Sequence, residues 1–299
     1  MARTVRGARV LITGAASGMG LLYAERAVRE GARAVVLWDR DEAGLTRLTD
    51  RLRGEVLAGR TVTAWGAPAG SPSSAGGAAA AGTSIHPYVV DLGELGGIAQ
   101  TAQSVRKELG GIDVLVNNAG IVRGKYFWEH DNGDDTRATM QVNALAPMYT
   151  TREFLPGMIA SPREARIVNI ASAAGTLANP RMSVYAASKS AVINWSDSLR
   201  LELEQQGYGH VKVTTVAPSY IDTGMFAGAR GPLLTPILTP EYVVDRVWRA
   251  MLAGKPVLML PWSVGLAKTL KGVLPTRAWD ALAGRVFGVY SSMDEFTGR

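Results

Sequence analysis

Apolar positions follow two rhythms along this chain. Short β-rich runs occur at 9–13, 34–38, 86–90, 112–116, 166–170, 211–217 and 256–260. Between them lie longer stretches in which apolar residues recur every three or four positions, as at 21–29, 98–109 and 183–203. Runs apolar toward both faces suit strands covered on both sides, and strands spaced by helices build parallel sheets. The pattern predicts an α/β chain: one domain holding a doubly wound parallel sheet of about seven strands, with helices on both faces. Segment 66–84 breaks the rhythm. It is almost wholly Gly, Ala, Ser and Pro, has nothing to anchor a core, and reads as a flexible, tolerated insertion before the third strand.

Composition narrows the classes. At 299 residues the chain can bury a full core in one unit. An apolar share of 47% against 19% charged excludes a disordered acidic chain. The absence of cysteine excludes a disulfide scaffold, a thiol nucleophile and a Cys-ligated metal. His86, His130 and His210 are scattered without ligand spacing, so no metal is expected. The start is basic but lacks a signal-like apolar core, and no apolar run reaches 18 residues, which reads as cytoplasmic with a peripheral membrane contact left open.

Residues 13–20 read TGAASGMG between a strand and a helix. Glycine permits a tight turn and close backbone approach, and a helix N-terminus offers free N–H groups to an anion. Gly14, Ser17, Gly18, Met19 and Gly20 would form a pyrophosphate cradle, although three glycines also make ordinary turns. Asp39 ends the second strand, where a carboxylate accepts from a ribose 2′-hydroxyl and repels a 2′-phosphate. Arg40 would instead serve a 2′-phosphate. NAD is favoured over NADP. Asp91, with Leu92 beside it, ends the third strand and either meets the adenine or caps the next helix.

Tyr185 and Lys189 stand four apart in YAASK and share a helix face. A phenol titrates near ~10, and a neighbouring ammonium favours the phenolate. An amphipathic helix alone would produce the same spacing. Ser172 ends the fifth strand in NIASAAG, on the side where open parallel sheets bind ligands, and its hydroxyl can bond an oxygen on which charge develops.

Together these motifs resemble the short-chain dehydrogenase/reductase family. TGAASGMG, Asp39, Asp91, NNAG at 117–120, Asn143 in QVNALAP, Ser172, Tyr185, Lys189, and Pro218 with Thr223 in PSYIDT stand in that family's order. The resemblance implies a Rossmann-like fold with a C-terminal substrate lid, here within 219–285. It implies Tyr185 as general acid/base, Lys189 as the group that lowers its pKa and binds the nicotinamide ribose, and Ser172 as the group polarising the carbonyl. Asn143 would hold a water relaying protons to Lys189. Asn117, Ala119 and Gly120 would line the cofactor, and Ile221, through its backbone, and Thr223 would hold the carboxamide. One departure is Ser219 where the family usually has Gly.

The later segments TGMF, PEYVV and an apolar stretch ending in LPW are similar to the retinol dehydrogenase and 17β-hydroxysteroid dehydrogenase-like subgroup, whose substrates are long apolar alcohols. Met225, Phe226, Leu233, Leu234, Ile237 and Leu238 fit an apolar pocket, or simple packing on a core. The expected activity is NAD(P)-dependent interconversion of a hydrophobic alcohol and its ketone or aldehyde in a homodimer or homotetramer. A non-catalytic dinucleotide sensor is the alternative. The net charge is +6. Residues 246–285 hold seven basic residues, one acid, and Trp248, Trp262 and Trp279. No basic-aromatic nucleic-acid module is present, and this mixture suits a membrane surface. Within it, 261–274 also reads as a lid or dimer helix with solvated lysines.

Overall fold

The computed structural model describes residues 4–58 and 82–298. Seven strands form one parallel sheet: β1 (Arg9–Thr13), β2 (Ala34–Asp39), β3 (Ser84–Val89), β4 (Val114–Asn117), β5 (Ala165–Ile170), β6 (Val211–Pro218) and β7 (Val257–Leu260). Their spatial order is β3-β2-β1-β4-β5-β6-β7. The order reverses between β1 and β4, and a crevice opens at such a switch point beyond the strand C-termini.

The helices are α1 (Gly18–Arg29), α2 (Glu42–Leu57), α3 (Leu95–Leu109), the short α4 (Ala138–Met140), α5 (Ala146–Ala160), α6 (Ser183–Gln205), α7 (Pro240–Leu252), α8 (Trp262–Val273) and α9 (Thr276–Ala281). Val10, Ile12 and Leu37 join side chains of α1, α2 and α7 in one core layer. Leu11, Val36 and Leu115 join those of α3, α5 and α6 in the other. Successive strand residues thus supply opposite layers, as the period of two requires. β1, β4 and β5 are buried at every position. β3, at the edge, alternates and accommodates Pro87, as an edge strand can.

Two expectations shift. Residues 66–81 of the proposed insertion lie outside the described residues, but Thr83 and Ser84 belong to the sheet margin. Thr83 Oγ1 donates to the Ala32 carbonyl at 2.6 Å, and Ser84 pairs with Ala34. The stretch 219–285 is not all lid: α7 buries Val243, Val244, Val247 and Trp248 in the core, and β7 completes the sheet. No helix among the described residues is long and apolar enough to cross a membrane.

Candidate active site

A groove of about 680 Å³, open to solvent, runs over the C-terminal ends of the strands. Its floor begins at the glycine turn. Gly14 has φ +66, and a Cβ there would sit 2.9 Å from Ala119 Cα. On Gly20 a Cβ would overlap the Gly14 carbonyl oxygen, so α1 approaches β1 only because that position is bare. The Ser17 side chain leaves the α1 N-terminus uncapped, which keeps its N–H groups available to an anion. Thr13 and Asn118 hold the opposite bank. Thr13 Oγ1 accepts from the N–H of Asn118 at 3.0 Å and of Ala119 at 3.1 Å, while Asn118 Nδ2 donates to the Thr13 carbonyl at 3.0 Å.

Asp39 and Arg40 both line the groove. The Asp39 carboxylate accepts from the Ala16 N–H at 2.9 Å and the Asp41 N–H at 3.0 Å, which aims it from the end of β2 toward the glycine turn. Asp91 and Leu92 line the far end. Asp91 accepts from the Gly93 N–H at 2.7 Å in a local turn. The cap position of α3 is Glu94, so the capping role considered for Asp91 falls away.

Ser172, Tyr185 and Lys189 meet at the other end of the groove, and all three are buried. Ser172 Oγ accepts from the Ala174 N–H at 3.2 Å. Burial pushes the Tyr185 phenol up to about 12, while a hydrogen bond from Ser172 works in the opposite direction. Lys189 Nζ donates to the Ile170 carbonyl at 2.8 Å and lies 5.8 Å from the Tyr185 ring centre. Burial pulls it down to about 8. Desolvation is the largest influence on the phenol, and Tyr220 adds to it.

Asn143 and Asn117 lie behind the groove wall rather than in it. Asn143 occupies a wide turn between α4 and α5 and is fully buried. Its Oδ1 accepts from the Ile121 N–H at 2.8 Å, and its Nδ2 donates to the Ile121 carbonyl at 2.8 Å and to Ser188 Oγ at 3.1 Å. Asn117 donates to Thr151 Oγ1 at 3.1 Å and Asn169 Oδ1 at 2.8 Å. It belongs to a buried polar network between β4, β5 and α5, and the neighbouring Asn118, not Asn117, lines the groove. The last residue of a strand points opposite to the next one, and the NNAG motif does not say which asparagine faces the groove.

Ala119, Gly120, Pro218, Ile221 and Thr223 line the groove, with the Ile221 carbonyl accepting from the Thr223 N–H at 2.9 Å. Ser219, in place of the usual glycine, also lines it, its N–H donating to the Leu260 carbonyl at 2.7 Å. Val90, Ile121, Arg123 and Val142 line it too; their types carried no chemical signal in the sequence.

A second cavity, about 90 Å³, adjoins the first. Leu177, Met182, Leu233, Leu266, Leu270 and Trp279 are among its walls. Three residues line both spaces: Ser172, Ser219 and Phe226. Phe226 sets its edge against Tyr185, centres 5.9 Å apart, and against Tyr220 at 5.4 Å. Of the other apolar candidates, Leu234 lines this cavity and Met225 the groove. Leu238 packs in the core and Ile237 faces solvent. One polar corner was not foreseen. Asn179 Nδ2 donates to Tyr220 Oη and Ser292 Oγ, both at 2.9 Å, joining residues 113 positions apart.

Fold and groove define a class: a doubly wound α/β protein with a glycine-turn crevice leading to a buried Ser–Tyr–Lys group. The short chain dehydrogenase family model matches residues 69–232. Human epidermal retinol dehydrogenase 2 is 33% identical over 296 residues, 98% of this chain and 86% of that protein. Retinol dehydrogenase 10-A of Danio rerio is 32% identical, over 92% of this chain and 81% of that one. Among solved structures, a short-chain dehydrogenase from Sphingobium yanoikuyae in complex with NADPH superposes with a TM-score of 0.68 at 26% identity, covering 93% of each chain. One from Burkholderia phymatum in complex with NAD gives 0.72 at 24% identity, over 90% of this chain and 94% of that one.

The chain belongs to the short-chain dehydrogenase family of oxidoreductases. Its curated relatives place it in the retinol dehydrogenase-like subgroup.

Proposed function

We propose that the protein interconverts an apolar alcohol and its carbonyl compound with a nicotinamide dinucleotide, NAD rather than NADP. The observation that carries this reading is the junction of the two cavities at Ser172 and Phe226, beside Tyr185. The groove fits a dinucleotide in its bare glycine turn, its uncapped helix end and the Asp39 carboxylate aimed at that turn. A dinucleotide bound there supplies or accepts the hydride.

In reduction, Ser172 Oγ donates to the carbonyl oxygen and Tyr185 Oη delivers the proton that oxygen takes up. A phenol held near 12 is fully protonated at neutral pH, as an acid must be. In oxidation Tyr185 must first release its proton to solvent through the open groove; the Lys189 ammonium steadies the phenolate, which then takes the proton of the alcohol. Lys189 would also hold the sugar of a bound dinucleotide, and Asn143 keeps the Ile121 backbone in place behind the groove. The apolar cavity takes the body of the substrate and excludes water. Ser219 bears on the turn beside the reacting centre without removing an acid or base.

The test is the absorbance of NADH with fatty, retinoid, steroid and aryl alcohols, with NAD and NADP in parallel. Wild type should turn over a long-chain alcohol with NAD. Tyr185→Phe should lose at least about a hundredfold in kcat while still binding NADH. Equal turnover in that variant would overturn the assignment of Tyr185.

A further inference from the structure

We propose that Asn179 and Tyr220 recognise a second hydroxyl on the substrate, so that the alcohol taken by the apolar cavity is a diol. This rests on the alcohol–carbonyl reading of Ser172 and Tyr185 and names the substrate class for that site. Asn179 and Tyr220 both line the cavity. Among the described residues, Asn179 Oδ1 is the only buried side-chain nitrogen or oxygen without a hydrogen-bond partner on a residue lining either space. The Thr235 and Ser263 hydroxyls, on the wall of the same cavity, pair with each other at 3.2 Å.

The direction of each bond in this corner follows from Ser292. Its Oγ donates to the Val289 carbonyl at 2.7 Å, so the phenol supplies the proton between Tyr220 Oη and Ser292 Oγ, 2.8 Å apart. Ser292 then has no hydrogen left for an amide oxygen, and Asn179 turns Nδ2 toward both hydroxyls at 2.9 Å. Every hydrogen in the corner is committed. What remains is acceptor capacity: Asn179 Oδ1 and one lone pair of Tyr220 Oη. A group that completes such a corner must donate, as a hydroxyl does and an ether or ketone does not.

The corner is also fixed relative to the reacting groups. Met182 N–H closes a turn onto the Asn179 carbonyl at 3.3 Å, with Pro180 second and Arg181 third. Arg181 has φ +62, where such a turn ordinarily takes glycine, and its guanidinium lies 4.5 Å from the Tyr126 ring centre. Backbone strain is accepted here immediately before α6, whose first turn carries Tyr185. Phe226, edge-on to both tyrosines, spans the space between the reacting phenol and the corner.

The test is NAD-dependent oxidation, by the full chain, of α,ω-diols of increasing length, each beside its monomethyl ether and the plain alcohol of equal length. At the matching length, kcat/KM for the diol should exceed that of both companions at least about tenfold, well beyond the roughly twofold that two equivalent ends supply. Asn179→Leu and Tyr220→Phe should each collapse the diol-to-ether ratio to about that statistical factor. The wild-type ratio decides the matter even where a variant fails to fold. Equal kcat/KM for diol and ether across the series, a preference for the ether, or a diol preference that survives both substitutions would overturn the proposal. Calorimetric binding of the same compounds to the NADH complex separates the two readings. A diol that binds there more tightly than its ether, with no NADH formed from any alcohol, would strike the oxidoreductase reading and leave the hydroxyl subsite standing.

Discussion

Lys189 lets function and stability be separated by a single side chain. Its ammonium is buried, its one hydrogen bond goes to the Ile170 carbonyl, and no ion pair involving it occurs among the described residues. Burial takes it from 10.5 to about 8, which corresponds to about 3 kcal/mol of destabilisation at pH 7. Replacing it with Met removes that penalty and strands the Ile170 carbonyl, a cost of about 1–2 kcal/mol. Without cofactor, Lys189→Met should therefore be more stable than wild type at pH 7 by about 2 kcal/mol, or about 5 °C in Tm.

The sign with pH follows from the proton count. Between 8 and 10.5 the unfolded chain holds the proton that the folded one has released, so wild-type stability rises relative to the variant. The penalty shrinks to about 1 kcal/mol at pH 10, where the advantage of Met should vanish or reverse. Urea unfolding of both proteins at pH 7 and pH 10 measures this directly. A variant less stable at pH 7, or a gap indifferent to pH, would refute the reasoning. Turnover should fall at least about a hundredfold in the same variant.

Other outcomes follow from the same geometry. Gly20→Ala forces a methyl onto the Gly14 carbonyl and should destabilise by about 3 kcal/mol, with NADH affinity by fluorescence titration at least about tenfold weaker. Asp113 is clasped by Arg9 through its backbone N–H and guanidinium at 2.8–2.9 Å. Desolvation pushes its carboxyl up, but the Arg9 bonds outweigh it and hold it below its ordinary value. Asp113→Ala should lose about 3–5 kcal/mol at pH 7 in chemical unfolding. That contribution is present above the ordinary carboxylate range and disappears as pH falls through the lowered value, so the two proteins should converge in acid. Ala267→Phe fills the apolar cavity and should raise KM for a long-chain alcohol at least about tenfold while sparing a short one; equal loss for both would argue against that cavity as the substrate site.

Much of this was legible in one dimension. A strand buried on both faces must be apolar throughout, so β1, β4 and β5 announced themselves; β3 was blurred because an edge strand is half wet. The glycine turn was legible because only Gly tolerates the Gly14 conformation and the contact at Gly20. Tyr185 and Lys189 were legible because helix geometry alone puts them on one face, and Ser172 because a parallel strand must end at the crevice. Asn117 was misplaced because two adjacent asparagines at a strand end point opposite ways, and packing against Thr151 and Asn169 decides which is buried.

The α/β order, the glycine turn and the shared helix face of Tyr185 and Lys189 could be read along the chain, because each depends on local spacing and residue type. Only the tertiary structure decided the rest. It joined the polar groove to the apolar cavity at Ser172 and Phe226, bound Asn179 to Ser292, and raised the Tyr185 phenol by burying it. It also sent Trp248 into the core while leaving Trp262 in solvent. Those outcomes depend on which distant segments exclude water from one another, and a pattern of neighbours along the chain does not carry that information.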